Sequence, residues 1–501
     1  WRCREERFTS PLNHDPVAAW ASACATQPGQ PMHTFFIETF GCQMNVHDSE
    51  RMHGLLLAAG LQPVGSAREA DVVVVNTCSV REKAEQKLDS ELGKLRRLKK
   101  QRAGRPVLVL AGCVAQQRGA AALRRMPFID VVLGPDHLGE LPALALAADG
   151  GAPAEVRTTF DLDRPAFLAL TSEQAAPSAF VSISKGCDER CSFCIVPSTR
   201  GPERHRPSAE IVAEVRALVQ LGALEVVLLG QTVNGYRDPS GVLPSEPNDG
   251  TGFAMLLRGI AEQVPELRRL RYTSPHPRWY GPAVADAHRD LEVLCHHVHM
   301  PVQSGSDRVL KRMIRRYDSA EFLEIARGLR SARSDLTIST DIIVGFPGET
   351  DEDFEQTLSI MREARFFGVY AFKYSPRPGT PALRFGDDVP EEVKSERLAR
   401  VFELSEALQA EHLTSLVGTN QLVLVQEQGP RGDGRLCGHT IRNEIVHLED
   451  SKELGLRAGI VPVRITRAWK HSLEAALLGA PAATRAGGGP VRLPVVTGSD
   501  G

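Results

Sequence analysis

Short apolar runs alternate with helix-length amphipathic segments along most of this chain, and that alternation selects a parallel sheet with helices on its faces. The strand-like runs Thr34 to Thr39, Val72 to Val75 and Val107 to Leu110 lead into Gly41-Cys42, Asn76-Thr77-Cys78 and Gly112-Cys113. Helices are expected from about Asp48 to Gly60 and from Arg81, and Val131 to Leu133 is a fourth candidate strand. The three cysteines stand 36 and 35 residues apart, about one strand-helix unit each. Each is expected just beyond the carboxyl end of its strand, where neighbouring strands of an open α/β sheet converge on one crevice. Three unrelated core cysteines are the alternative, since free cysteine is often a plain packing residue.

A second series starts near Ser172, with strands expected at Ala179 to Ile183, Glu225 to Leu229, Leu270 to Thr273, His297 to Met300, Thr337 to Val344 and Val369 to Tyr374. Six strand-helix units imply a partial parallel barrel or a strongly curved sheet, whose active site would lie at the carboxyl ends of the strands. Polar and glycine-containing stretches fall at those ends, among them Gly230-Gln231-Thr232, Pro301-Val302-Gln303-Ser304-Gly305 and Gly345-Phe346-Pro347-Gly348. Each alone is ordinary turn chemistry. After a helical connector, Glu391 to Leu416, the strands Gln421 to Val425, Leu436 to Thr440, Ile445 to Leu448 and Val461 to Ala468 suggest a small antiparallel barrel, a common nucleic-acid-binding form.

The most specific chemistry is the run Cys187-Asp188-Glu189-Arg190-Cys191-Ser192-Phe193-Cys194, with C-x3-C-x2-C spacing, just after a strand. Three thiolates hold a four-iron cluster and leave one iron open for a non-protein ligand. A structural zinc site needs four ligands. No fourth cysteine is near, and His205 is the one candidate to complete such a set.

Length and composition bound the rest. A chain of 501 residues exceeds one hydrophobic core, so two or three domains are expected. No apolar run approaches membrane-spanning length, and ten cysteines placed largely after strands argue for metal or redox chemistry in a reducing, cytoplasmic setting. A net charge of -3 advertises no nucleic-acid partner, which would need a local basic surface. Lys94, Arg96, Arg97, Lys99, Lys100, Arg102 and Arg105 form one basic run, for which a solvated helix face is the plainer reading. Residues 1–31 precede Met32, the first plausible start, and are expected to be an unstructured extension in which Cys3 and Cys24 carry no role. Residues 479–501, rich in Gly, Pro and Ala, read as a flexible tail.

The motifs Gly41-Cys42-Gln43-Met44-Asn45, Asp48-Ser49-Glu50-Arg51-Met52, Asn76-Thr77-Cys78-Ser79-Val80-Arg81-Glu82-Lys83-Ala84, Gly112-Cys113 and the cysteine loop running into Pro197-Ser198-Thr199-Arg200-Gly201 resemble the methylthiotransferases of the radical S-adenosylmethionine (radical SAM) superfamily. The resemblance covers nearly everything from Met32 to Leu478, and Cys-Gln-Met-Asn with Arg-Glu-Lys-Ala is similar to the tRNA branch. It implies an α/β fold with an amino-terminal parallel domain (32–150), a radical SAM partial (β/α)6 barrel (172–413) and a TRAM-like RNA-binding barrel (415–478). It further implies two 4Fe-4S clusters: Cys187, Cys191 and Cys194 would hold the radical-generating one, and Cys42, Cys78 and Cys113 an auxiliary one.

The implied reaction adds a methylthio group to C2 of N6-isopentenyladenosine at position 37 of tRNA, with S-adenosyl-L-methionine (SAM) as the source of both the radical and the methyl group. An aromatic C-H is too inert for a side-chain base, so the cofactors carry the hard step. Gln231, Gln303, Ser304, Ser339 and Asp341 are the candidate SAM contacts at the rim. Cys295 and Cys437 fall outside both triplets and are expected to be packing residues. The expected partners are tRNA and an electron donor such as flavodoxin or ferredoxin, with no membrane and a monomeric chain. A ribosomal-protein methylthiotransferase, or a non-catalytic iron-sulfur or RNA-binding protein, are the competing functions.

Overall fold

The computed structural model describes residues 32–79, 82–102, 104–160, 176–243, 249–428, 435–449 and 459–478. The extension at 1–31 with its two cysteines, the tail at 479–501, the start of the second domain near Ser172 and the pair Val80-Arg81 lie outside them.

The first domain is a six-stranded sheet in the order β2-β1-β3-β4-β5-β6: β1 (Thr34–Phe40), β2 (Gln62–Pro63), β3 (Val72–Thr77), β4 (Val107–Ala111), β5 (Val131–Leu133) and β6 (Glu155–Arg157). Every pairing is parallel. Strands β3 and β4 are apolar almost throughout because both faces are covered. Val73, Val75, Leu108 and Leu110 enter one core, and Val72, Val74, Val107 and Val109 the other. Helix α1 (Gln43–Ala58) starts earlier than its apolar residues suggest: Cys42 is its N-cap, and the Cys42 carbonyl accepts from the Asn45 and Val46 amides. Helix α2 spans Glu82–Gln101, and α3, Cys113–Arg118, opens directly on the third cysteine.

In the core, β7 (Ser178–Ser182), β10 (Glu225–Leu229) and β11 (Arg269–Tyr272) form one parallel three-stranded sheet. A second holds β12 (His297–His299), β13 (Thr337–Val344) and β14 (Gly368–Lys373). The two follow one another in chain order around a single hydrophobic core, linked by a bridge between Leu270 and Leu294. A two-stranded hairpin, β8 (Ser184–Lys185) with β9 (Arg204–His205), frames the cysteine loop. Helices α4 (Val196–Arg200) and α5 (Ser208–Gln220) follow that loop.

Beyond α6 (Glu391–Ser415), β15 (Asn420–Gln428), β16 (Leu436–Thr440), β17 (Ile445–Leu448), β18 (Gly459–Ala468) and β19 (Leu473–Leu477) close into a barrel. It is not wholly antiparallel as the sequence suggested. Five strands cannot alternate direction around a closed ring, and β17 pairs with β19 in parallel. The barrel shares its apolar interior with Leu413 and Leu416, and Phe367 of the core packs against it. Buried Arg269 donates to the carbonyls of His439 at 2.8 Å and Leu422 at 2.7 Å. The barrel is therefore seated on the amino-terminal ends of the core strands. Removing it would strip Arg269 of both acceptors and expose the apolar surface of Leu413, Leu416 and Phe367 to water, which is costly.

Candidate active site at two cysteine triplets

Cys42, Cys78 and Cys113 follow β1, β3 and β4, three adjacent strands, so the sheet brings together residues distant in sequence. Two glycines permit the approach. Gly41 has φ +149°, and a Cβ there would stand 2.6 Å from the Cys78 Cβ. Gly112 has φ +88°, and a Cβ would stand 2.3 Å from Asn76 Oδ1 and 2.9 Å from the Thr77 carbonyl oxygen. A buried amide network fixes the same ends. Asn45 Nδ2 donates to Asn76 Oδ1 at 3.0 Å, while Asn76 Nδ2 donates to the Asn45 carbonyl at 2.8 Å and to Ser49 Oγ at 2.9 Å. Gly112→Ala is expected to destabilise the first domain by about 1–3 kcal/mol, the cost of a forced backbone conformation. Urea unfolding measures it, and an unchanged midpoint would contradict this packing.

The thiols of this triplet differ. The hydrogen bond with Cys78, with Arg200 nearby, brings the Cys42 thiol down to about 6. Burial pushes Cys113 up instead.

The second triplet lies on the loop between β8 and α4. Its entry turns at Gly186, φ +80°, where a Cβ would stand 1.9 Å from the Pro202 carbonyl oxygen. Cys187 Sγ lies 3.2 Å from Thr232 Oγ1, Cys191 Sγ accepts from Arg315 Nη1 at 3.2 Å, and the Val196 amide reaches Cys194 Sγ at 3.5 Å. Burial raises the Cys187 thiol to about 11 and Cys194 to about 12. As free thiols they hold their protons at neutral pH, so a metal group binding here must displace them.

The first domain and the core meet beside these sites through buried charges. Arg51 of α1 pairs with Glu214 of α5, which also pairs with Arg206. Asp136 binds Lys185 at 2.5 Å and Arg204 at 3.1 Å. Arg200, at the end of α4, crosses to the first domain: its Nε donates to Cys113 Sγ at 3.2 Å, and its Nη2 stands 2.7 Å from Asp48 Oδ2. Met44 packs on Val227 and Leu229, with Cys42 and Phe180 beside them. A small cavity lined by His47, Asp48, Arg51, Lys185, Arg200 and Arg206 lies at this junction.

The five rim candidates separate. Gln231 Oε1 accepts the Gly186 amide at 2.6 Å and so holds the cysteine loop. Ser304 is fully buried, with its hydroxyl 3.3 Å from Thr357 Oγ1. Gln303 sits at φ +70°, a conformation uncommon outside glycine, and its backbone bonds β13 at Asp341 and Ile343. Ser339 and Asp341 do come together, on one face of β13 and around His299: Ser339 Oγ lies 2.9 Å from His299 Nδ1, and Asp341 Oδ2 lies 3.3 Å from His299 Nε2. Tyr370 and Phe372 on β14 register with Asp341 and Ile343 and are exposed beside them.

Sequence reading missed His299, Arg315 and the roles of Thr232 and Arg200. Arg200 stands inside a motif the sequence analysis singled out, whereas Arg315 carries no local signal.

Cys295 is buried with its thiol 3.8 Å from Glu225 Oε2, and Cys437 stands within β16, so neither joins a triplet. The basic run is partly spent on its own domain: Lys99 pairs with Asp130, Arg102 donates to the Ala70 carbonyl at 2.6 Å, and Arg105 pairs with Asp71 at 3.4 Å. On the terminal barrel, Arg464, Arg467 and Trp469 are exposed, with the Arg467 guanidinium 4.0 Å from the Trp469 ring centre.

Each triplet thus offers sulfur donors only, with one thiol in each accepting from a buried guanidinium. That donor set suits an iron-sulfur cluster, whose charge such cations offset. Among the described residues no three His, Cys, Asp or Glu side chains are drawn up around a single metal ion, and His205 completes no such set. Among them too, no helix is long and apolar enough to cross a membrane.

Two family models match the chain: "Uncharacterized protein family UPF0004" over residues 34–134 and "Radical SAM superfamily" over residues 181–361. The tRNA-2-methylthio-N(6)-dimethylallyladenosine synthase of Sorangium cellulosum is 60% identical over 467 residues, covering 89% of this chain and 93% of that protein. The protein of the same name from Corynebacterium urealyticum is 44% identical, covering 89% and 82%. Among solved structures, the radical S-adenosylmethionine methyltransferase TsrM from Kitasatospora setae, with cobalamin and a [4Fe-4S] cluster bound, aligns with a TM-score of 0.50 at 14% identity. The alignment covers 78% of this chain and 81% of that one, and the likeness is one of fold.

Proposed function

The chain belongs to the tRNA-2-methylthio-N(6)-dimethylallyladenosine synthase family of radical SAM enzymes, and from this we infer that it is a tRNA-modifying methylthiotransferase. It places a methylthio group on C2 of N6-dimethylallyladenosine, at position 37 beside the anticodon. Cys187, Cys191 and Cys194 hold one 4Fe-4S cluster and Cys42, Cys78 and Cys113 a second. Held by the first three thiolates, such a cluster would keep one iron open for SAM and would supply the electron for its cleavage. That electron comes from a small donor of the flavodoxin or ferredoxin kind.

The chain's own residues supply aim and shielding. Thr232 and Arg315 fix the Cys187 and Cys191 sulfurs. Asp341, beside His299, presents its carboxylate to SAM, while the buried Ser339 hydroxyl, shared by His297 and His299, holds the His299 imidazole in place. The observation that carries this reading is the junction at Arg200: the segment that leaves the second triplet at Cys194 ends, six residues on, against Cys113 of the first. A simple electron carrier would also hold two clusters close, but it has no need of a SAM-type rim beside them.

The test is anaerobic reconstitution with iron and sulfide, then incubation with SAM, a reductant and tRNA containing N6-dimethylallyladenosine. Nucleoside mass spectrometry should find the 2-methylthio product and, in parallel, 5'-deoxyadenosine. Formation of 5'-deoxyadenosine with no methylthio nucleoside would place the substrate elsewhere.

The terminal barrel contacts the tRNA in this reading, and its exposed Arg467-Trp469 pair is the surface suited to a base and a phosphate. Because the barrel is seated on buried Arg269, surface substitution tests it better than truncation. R467A/W469A is expected to weaken tRNA binding about tenfold, within the range for loss of one base stack, with both proteins binding more weakly as salt rises. Equal affinity measured by filter binding at one salt concentration would remove this face from the interface.

A further inference from the structure

Arg200 belongs to the core, yet its hydrogen bond goes to a cysteine of the other domain. Its side chain is 3% exposed, with Nε on Cys113 Sγ at 3.2 Å and Nη2 2.7 Å from Asp48 Oδ2. Asp48 lies on α1, six residues after Cys42. Asp48 is the ion-pair partner of Nη2, and Nη1 makes no hydrogen bond among the described residues. A latch built for stability would spend Nη1 as well, since an unmet buried donor costs about 1–3 kcal/mol. What the placement does secure is a full positive charge and one N–H directed at a cluster sulfur in a site sheltered from water.

We propose that Arg200 is a positioning residue through which the core sets the reduction potential of the cluster held by the first domain. The inference rests on the reading that Cys42, Cys78 and Cys113 ligate a cluster. Reduction adds one negative charge to that cluster, and a hydrogen bond to a ligating sulfur together with a nearby cation stabilises the reduced form. Both raise the potential. Asp48 acts in the opposite sense, because its carboxylate offsets part of the guanidinium charge in a medium where charges are weakly screened. The two members of one ion pair thus have opposite effects on the potential. A pair serving only to hold the domains together would have the same effect whichever member is removed.

The experiment uses the full-length chain with Cys187, Cys191 and Cys194 replaced by alanine, so that only the first triplet can hold iron. Iron content is measured first, and the potential is then followed by electron paramagnetic resonance during reductive titration. R200M is expected to shift the potential to more negative values and D48N to more positive ones, with R200K between R200M and the parent. Shifts of both variants in the same direction, or no shift in either, overturn the proposal. Should R200M lose its iron, D48N decides alone: a positive shift supports the role, and an unchanged or negative one removes it. A parent protein that folds but binds no iron refutes the ligand reading itself, and the role of Arg200 falls with it.

Discussion

Replacing Cys187, Cys191 and Cys194 together by alanine abolishes 5'-deoxyadenosine formation and leaves roughly half of the bound iron, as two clusters of equal size require. The first triplet stands on supports of its own. Cys42, Cys78 and Cys113 are set by three adjacent strands and by the Asn45-Asn76-Ser49 network, all within the first domain. The second triplet is set by Gly186, Thr232, Gln231 and Arg315, all within the core. Arg200 ties a cysteine of the first domain to the core by a side-chain hydrogen bond, and the substitution leaves it in place. Iron analysis and SAM cleavage on the folded variant check the result. Complete loss of iron would mean that the two sites are not independent, and continued cleavage would move the radical chemistry away from this loop.

The parts of the fold legible in the sequence are those whose burial is uniform. Glu225–Leu229 and Thr337–Val344 are central strands made mainly of apolar and β-branched residues, interrupted by Glu225, Ser339 and Asp341, and both were bounded from composition alone. Strands β2, β6 and β19 were not read. The first is Gln62-Pro63, the second Glu155-Val156-Arg157, and neither has an apolar pattern, because edge positions are held by main-chain pairing and not by core packing. The third, Leu473–Leu477, is rich in alanine and glutamate, and barrel closure imposes its strand conformation. The start of α1 was misplaced because Asn45 and His47 are buried polar residues, Asn45 bonded to Asn76 and His47 at the inter-domain junction, so no apolar period marks this turn.

The candidate site divides in the same way. Cysteines are legible because thiol spacing follows from chain connectivity: one loop for the second triplet, one strand-helix unit per step for the first. Arg200, Arg315 and His299 are not, because their partners lie 87, 124 and about 40 residues away and depend on how finished elements dock. Gln231 shows the converse. Its position at a strand end was correct as a rim position, but a side-chain amide turns wherever an unpaired N–H is nearest, here the Gly186 amide.

Alanine at Cys42, Cys78 and Cys113 is expected to have the opposite signature: SAM cleavage persists in uncoupled form, while the methylthio nucleoside falls below detection. Radical generation depends on the core loop, and none of the contacts to Cys187, Cys191 or Cys194 comes from the first triplet. Sulfur insertion needs a sulfur source beside the activated carbon, which in this reading is the first domain's cluster. The substitution removes two buried thiols and one half-buried thiol next to Gly41 and Gly112, where alanine occupies less space than cysteine, so no new clash arises. Arg200 loses the sulfur that accepts its Nε–H but keeps Asp48, and this limits the damage to the domain junction. Iron content, 5'-deoxyadenosine and nucleoside mass spectrometry on one preparation separate the outcomes. Methylthiolated adenosine from the triple variant would show that the sulfur comes from elsewhere, and loss of SAM cleavage would show that the core depends on the first domain for more than sulfur.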